Sequence, residues 1–372
     1  MALPVAAGAP ASADPPQGVP IAGAVETGDA SWAVLPMGQL SDPTNTFWQV
    51  LHGVPGSSHW TVVTPQGVAD NGGLVAGVAA GAVLVGTLPS RLLQFSPLSL
   101  SSDSGGTWSP IYLPGGLVPR PDALAYGVGP QAGGLAIVGR TVLSARPDLS
   151  SWSPFVSLSR LQQVSPRCGA SALDAVTFGT ATSTPLVATD CRGNGQVAVF
   201  SGASGLWRQT GVRLPGRLAS SSTTVLRLEA SGLTTTALVD ANSGGRRALV
   251  ALWQTDAGRW RVSAPLPLGQ TDSVVSTALS GGGGVAVLIG SGPRRSADEI
   301  FPGSGWAQLP PPPRASVDLA AVAPFTTAYA AVAFDAFTVD GSVLHVFALT
   351  PSGSKWAAAE TLQVPLAYGS SG

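Results

Sequence analysis

The chain has 372 residues, of which 44% are hydrophobic, 10% charged and 6% aromatic, with 47 glycines, 32 prolines and a net charge of −1. Charged residues fall well below the roughly one quarter of an average globular domain, which argues against a cationic nucleic-acid binder and against an acidic disordered tail. The apolar share suffices for a large core, and the length fits two ordinary domains or one large all-β domain.

In chain order, residues 1–19 are rich in Ala, Pro and Gly and lack both a cationic start and a continuous apolar run. They are expected to be a flexible N-terminal segment and do not read as an intact signal peptide. A first unit of strands follows at Ile21–Val25, Ser31–Leu35, Thr46–Leu51 and Trp60–Val63. Gly72–Leu88 is uncharged and spaces Gly77 and Gly81 as at transmembrane helix contacts. It is short for a span and followed by Pro89 and Arg91, so two buried strands, Leu74–Ala79 and Ala82–Thr87, fit better. No integral membrane segment is expected. Leu92–Leu100 and Trp108–Leu113 complete this second unit, and the fifth repeats it with Thr224–Ala230, Thr234–Asp240, Arg247–Trp253 and Arg259–Ala264.

The units are marked by Trp60, Trp108, Trp152, Trp207, Trp260, Trp306 and Trp356, at intervals of 48, 44, 55, 53, 46 and 50 residues by subtraction. A period of this size belongs to solenoids or propellers. No window shows helical periodicity with caps, so the fold class is all-β: a seven-bladed β-propeller of four-stranded antiparallel blades over residues 20–365. Residues 366–372 read as a flexible tail. The first unit is weakly marked, which leaves six or eight blades open and ring closure unassigned. Blades that bury both faces explain the continuous runs of small apolar residues and drive charge into the loops.

Ser101-Ser102-Asp103-Ser104-Gly105-Gly106-Thr107-Trp108 matches the Ser-x-Asp-x-Gly-x-Thr-Trp pattern of the Asp-box, or BNR, repeat. Asp256-Ala257-Gly258-Arg259-Trp260 keeps the Asp, Gly and Trp, and the other copies keep a small-residue turn before the ring. On these residues the chain resembles the sialidase-like β-propeller superfamily. The resemblance implies that Ser101, Asp103, Gly105, Thr107 and Trp108 are structural, lying between third and fourth strands and away from the ligand face. Catalytic sialidases carry an arginine triad, a Tyr/Glu pair and an Arg-Ile-Pro signature; Val118-Pro119-Arg120 is not that signature.

Ligand chemistry is expected at the other end, on the turns joining second to third strands and the connectors between blades. Arg120, Arg167, Arg192, Arg246, Arg247, Arg294 and Arg295 fall there as candidates for an anionic ligand. Asp240, Asp272, Asp298 and Glu299 are the candidate catalytic carboxylates, provided they converge across the axis. Asp318 and Asp335 are assigned to the same loops. Cys168 and Cys191 flank a hairpin of the fourth blade and are expected to form one disulfide beside Arg167 and Arg192. Asp174 and Arg227 align on inner strands of consecutive blades and suggest an interblade salt bridge. His52, His59 and His345 are scattered without metal-ligand spacing, so neither metal nor cofactor is expected. The sequence therefore reads as a secreted or cell-surface, monomeric, non-catalytic scaffold binding a glycan or protein and not nucleic acid. The alternative is a sialidase-like glycoside hydrolase or lyase.

Overall fold

The computed structural model describes residues 21–25, 30–40, 46–65, 74–79, 81–86, 98–114, 121–127, 133–179, 184–203, 205–231, 234–254, 258–322 and 333–364. The segments read as flexible ends, 1–19 and 366–372, lie outside the described residues, as does Arg120.

Blade 1 comprises β1 (Ile21–Val25), β2 (Ser31–Gly38), β3 (Thr46–Gly53) and β4 (Trp60–Val62). Blade 2 comprises β5 (Val75–Ala79), β6 (Ala82–Gly86), β7 (Leu98–Ser101) and β8 (Ser109–Ile111). Blade 3 is β9 (Ala123–Tyr126), β10 (Gly134–Val138), β11 (Thr141–Ala145) and β12 (Trp152–Ser157). Blade 4 is β13 (Leu173–Phe178), β14 (Pro185–Thr189), β15 (Ala198–Ala203) and β16 (Leu206–Gln209). Blade 5 is β17 (Ser222–Ser231), β18 (Thr234–Ser243), β19 (Arg246–Gln254) and β20 (Trp260–Val262), with β21 (Leu266–Leu268) added against β19. Blade 6 is β22 (Ser273–Leu279), β23 (Val285–Ser291), β24 (Arg294–Ile300) and β25 (Ala307–Gln308). Blade 7 is β26 (Ser316–Val322), β27 (Ala333–Asp340), β28 (Val343–Leu349) and β29 (Trp356–Gln363). Each blade is an antiparallel meander drawn from one continuous stretch of chain.

The ring closes through seven apolar clusters, one in each seam between successive blades, the last joining blade 7 to blade 1. Every periodic tryptophan sits in the seam between its own blade and the preceding one: Trp108 against the apolar cluster that contains Trp32 and Val50, Trp207 against Phe155, Trp60 against Phe337. The rings therefore occupy equivalent corners, each a large apolar body wedged between two sheets. Trp306 donates its indole N–H to the Ala264 carbonyl at 2.9 Å and Trp356 to that of Pro310 at 2.9 Å. In both cases the acceptor lies four residues beyond the preceding tryptophan of the series.

The closing seam is different. Trp60 Nε1 donates to Asp335 Oδ2 at 2.7 Å and Ser58 Oγ to Asp335 Oδ1 at 2.7 Å. The Trp60 backbone N–H donates to Glu360 Oε2 at 2.9 Å, and His59 Nδ1 lies 2.7 Å from Glu360 Oε1. Gly38 and Gly341 add a backbone bridge between the same two blades. β1 also pairs in parallel with β22, from Ile21 opposite Ser276 to Ala24 opposite Leu279, which joins blades 1 and 6 into one eight-stranded sheet. Its backbone thus lies beside the inner strand of blade 6 as well as its own blade.

Two differences from the sequence reading concern local structure. A short helix, α1 (Leu158–Val164), bridges blades 3 and 4; Ser157 caps it and Leu158 and Leu161 are buried. At two turns it is too short to show as a periodic pattern. Gly77, part of the apparent membrane spacing, instead allows close strand approach: a Cβ there would lie 2.8 Å from backbone atoms of Ala125 on the next blade's inner strand. No helix among the described residues is long and apolar enough to cross a membrane.

The Ser101–Trp108 turn is tied by its own side chains. Asp103 Oδ1 accepts the Thr107 N–H and Oδ2 the Thr107 hydroxyl, while Ser101 Oγ accepts the Gly105 N–H. These donors, the Thr107 backbone N–H foremost, hold the Asp103 carboxyl below its ordinary range.

Candidate functional site

Strand direction separates the ends of the ring. Turns between second and third strands and the blade connectors form one end, the connector end. The turns preceding the tryptophans form the other, the indole end. This sorts the charged residues.

At the connector end of blade 4, the hairpin β13–β14 brings Cys168 and Cys191 together as a disulfide, with Cα atoms 4.8 Å apart and both residues buried. Cys191 also forms a two-way backbone bridge with Thr223 of blade 5. Asp190 is consumed beneath this turn: its carboxylate accepts the Ser171 N–H at 2.6 Å, the Ala172 N–H at 2.8 Å and the Ser171 hydroxyl. The covalent link closes a sequence separation of 23 residues. Reduction with dithiothreitol is expected to lower unfolding stability by about 3 kcal/mol in the loop-entropy picture, checked by urea titration with and without reductant. An unchanged midpoint would contradict it.

Arg167 and Arg192 flank this disulfide and are exposed, and neither guanidinium has a partner among the described residues. The Arg192 N–H donates to the Cys168 carbonyl at 2.9 Å, which ties the two arginine-bearing segments together. Arg246 and Arg294, on the corresponding turns of blades 5 and 6, are likewise exposed and unpartnered among the described residues.

Arg247 and Arg295 are held differently. Arg247 pairs with Asp240 at 2.5 Å and donates to the Asp272 carbonyl of the connector into blade 6 at 2.8 Å. Arg295 donates to the Ser316 carbonyl at the start of blade 7 and to Gly292 in its own turn. Arg140 repeats the pattern, reaching the Ser171 carbonyl in the connector into blade 4. An arginine near the second turn of one blade thus clips the entry of the next. Sequence spacing places these side chains at the correct end but carries no sign of their interblade partners.

The four carboxylates of the sequence reading do not form one group. The Asp240 carboxylate pairs with Arg247, which reaches only the backbone carbonyl of Asp272, while the Asp272 carboxylate accepts the Gly269 N–H at 2.7 Å. Asp298 and Glu299 stand on β24 opposite Gln308 and Ala307, at the indole end, and not on a connector-end loop. The third strand continues further than its apolar residues suggest, so alternation carries these acids down the blade. Burial raises both carboxyls above their usual range. Asp318 and Asp335, assigned to loops from sequence, lie within β26 and β27 and are fully buried.

The inner strands carry a second charged group. Asp174 on β13 accepts the Val225 N–H of β17 through Oδ2 at 2.8 Å, and Arg227 pairs with Glu229 of its own strand at 2.7 Å. This corrects the expected Asp174–Arg227 bridge. A register shift between Val225 and Arg227 displaces the arginine from the alignment that glycine-ended strands suggest. Burial pushes Asp174 up to about 7, with nearby Asp190 adding to the rise. Asp318 on β26 is pushed well up by burial, against the Ser276 and Leu319 hydrogen bonds and the Arg227 charge.

No family model matches the chain, and no curated protein sequence is similar to it. Its fold is similar to that of a GH74 xyloglucanase from Xanthomonas campestris, with a TM-score of 0.52 at 15% identity over 89% of this chain. The match covers 52% of the xyloglucanase, so the chain spans about half that enzyme's length. A protein from Lactobacillus plantarum has a TM-score of 0.53 at 11% identity, covering 90% of this chain and 97% of its own. Both likenesses are of fold.

Proposed function

We propose that the protein is an extracytoplasmic, non-catalytic binding propeller whose ligand, a glycan or a protein, sits on the connector end around blade 4. The observation that carries this reading is the pair of exposed, unpartnered guanidinium groups of Arg167 and Arg192 on either side of a buried disulfide. A disulfide fits an oxidising compartment, and a pinned backbone reduces the ordering cost of binding. The separation of Asp298 and Glu299 from Asp240 and Asp272 counts against a catalytic group built from those four. The Ser101–Trp108 turn, by its hydrogen bonds, reads as an Asp-box staple of a sialidase-like blade.

One observation favours a glycoside hydrolase as the second reading. Burial raises the Asp174 carboxyl to about 7 and the Asp318 carboxyl well above its ordinary range, on inner strands that also carry the Arg227–Glu229 pair. A proton-bearing carboxyl near an ionised one is the requirement of acid–base glycoside cleavage. The likeness to a xyloglucanase propeller adds the fold alone.

A glycan array run beside a chromogenic glycoside panel tests both readings. The expected result is binding without turnover, weakened about tenfold or more in an Arg167→Ala/Arg192→Ala variant as two charge-assisted contacts are lost. Turnover abolished by Asp174→Asn would transfer the assignment to the hydrolase reading.

A further inference from the structure

Residues 158–218, spanning α1, blade 4 and the connector into blade 5, contain six arginines and two aspartates in a chain of net charge −1. Both aspartates are engaged by backbone N–H groups, Asp190 from Ser171 and Ala172 and Asp174 from Val225. Four of the arginines, Arg167, Arg192, Arg213 and Arg217, are exposed at the connector end.

These four lie along a continuous path. Asn194 Nδ2 donates to the Arg167 carbonyl at 2.6 Å, and Arg213 Nε donates to the Asn194 carbonyl at 3.1 Å. Arg213 Nη2 donates to the Ala219 carbonyl at 3.2 Å, just past Arg217 and the 3-10 turn Gly216–Leu218. The disulfide, the Cys191–Thr223 bridge and the Gln196–Arg213 bridge fix the backbone under the strip. From the 4.8 Å Cα separation of the cystine, the Arg167 and Arg192 Cα atoms lie within roughly 12 Å of each other, close enough for both side chains to serve neighbouring anionic groups.

We infer that this strip binds an acidic polysaccharide, a chain bearing sulfate or carboxylate groups. Arg167, Arg192 and Arg217 meet the anions, and Arg213 acts as a positioning residue that also adds charge. The inference rests on the binding reading proposed above and specifies its ligand. A protein ligand calls for an apolar centre, and the strip has none among the described residues. Of the exposed large hydrophobic side chains, Leu40, Val54 and Tyr112 belong to blades 1 and 2, and Leu206 opens β16 at the indole end. For the same reason the described residues of the strip offer no exposed aromatic platform for nucleobases. A row of planar guanidinium groups on fixed backbone instead suits bidentate contacts to sulfate or carboxylate.

The test measures binding of the full chain to dextran sulfate and to uncharged dextran of matched length, by biolayer interferometry in about 0.15 M salt. Dextran sulfate should bind and dextran should not. Arg192→Gln/Arg217→Gln should weaken binding roughly tenfold or more, with an unchanged circular-dichroism melt. Arg146→Gln/Arg259→Gln removes the same charge from exposed positions at the indole end and should change affinity less than about twofold. Absence of dextran sulfate binding, an equal loss in the indole-end variant, or stronger competition by duplex DNA of equal charge would overturn the inference. If an uncharged glycan binds the array and loses affinity in the Arg167→Ala/Arg192→Ala variant, the broader binding reading survives while the acidic-chain assignment fails.

Discussion

Melting the protein at pH 5 and pH 8 should give temperatures at least about 5 °C apart, with the acidic sample the more stable. The cause is a set of carboxyls held in apolar seams. Burial raises Asp174 to about 7 and Asp335 to about 6, and pushes the Asp318 carboxyl well above its ordinary range. An unfolded aspartate ionises near 4. Between that value and the folded pKa, the folded chain binds more protons than the unfolded one, so stability falls as pH rises. The contribution is fully present below about pH 4 and lost once pH passes about 6 for Asp335 and about 7 for Asp174. At about 1.4 kcal/mol per pKa unit, these shifts correspond to losses on the order of 3 and 4 kcal/mol, a large part of the 5–15 kcal/mol typical of a folded domain. Asp174→Asn keeps a side-chain oxygen for the Val225 N–H and removes the titration. It should flatten the profile and melt above the parent protein at pH 8. Calorimetry from pH 4.5 to pH 8 decides the matter, and a parent protein most stable at pH 8 would contradict this account.

Trp60→Ala is expected to cost about 4–5 kcal/mol, more than the same change at Trp306. Trp60 is 1% exposed, packs edge-on against Phe337 at 5.1 Å between ring centres and donates its indole N–H to a buried carboxylate. Trp306 is only partly buried and donates to a backbone carbonyl. Removing Trp60 therefore opens a cavity and leaves Asp335 with one fewer donor in a place water does not reach. Because every blade is built from its own continuous stretch, no exchanged strand holds blades 7 and 1 together when this contact goes. Hydrogen exchange should accelerate first in β2–β4 and β26–β29. Trp60→Phe keeps most of the ring but not the donor, so its cost should be larger at pH 8 than at pH 5, where Asp335 is protonated. Equal urea midpoints for Trp60→Ala and Trp306→Ala would show that the closing seam is energetically ordinary.

Much of the architecture was legible because it is written locally. A tryptophan after a small-residue turn recurs once per blade, and strands buried on both faces read as unbroken runs of Val, Ala and Leu. The fifth unit illustrates this, with the expected Thr234–Asp240 lying inside the observed β18, Thr234–Ser243. The cystine was legible for the same reason, since one hairpin suffices to juxtapose Cys168 and Cys191. The candidate site was legible only in part. Arg167 and Arg192 follow from that hairpin, but Arg213 was missed because its contacts run through a connector with no strand pattern. The visible signal was the six-to-two excess of arginine over aspartate across residues 158–218.

The amino-acid sequence alone determined the repeat, the blade's strand order and the hairpin-borne disulfide, because each depends on neighbours within one repeat. Only the tertiary structure decided how the ring shuts, where Ser58 and Trp60 meet Asp335 across 277 and 275 residues. It alone also decided that Arg247 and Arg295 clip successive blades and that Asp298 and Glu299 face the indole end. Those partnerships arise from wedges packing around a circle, and the distance between two side chains there is set by the curvature of the whole assembly and by no local pattern.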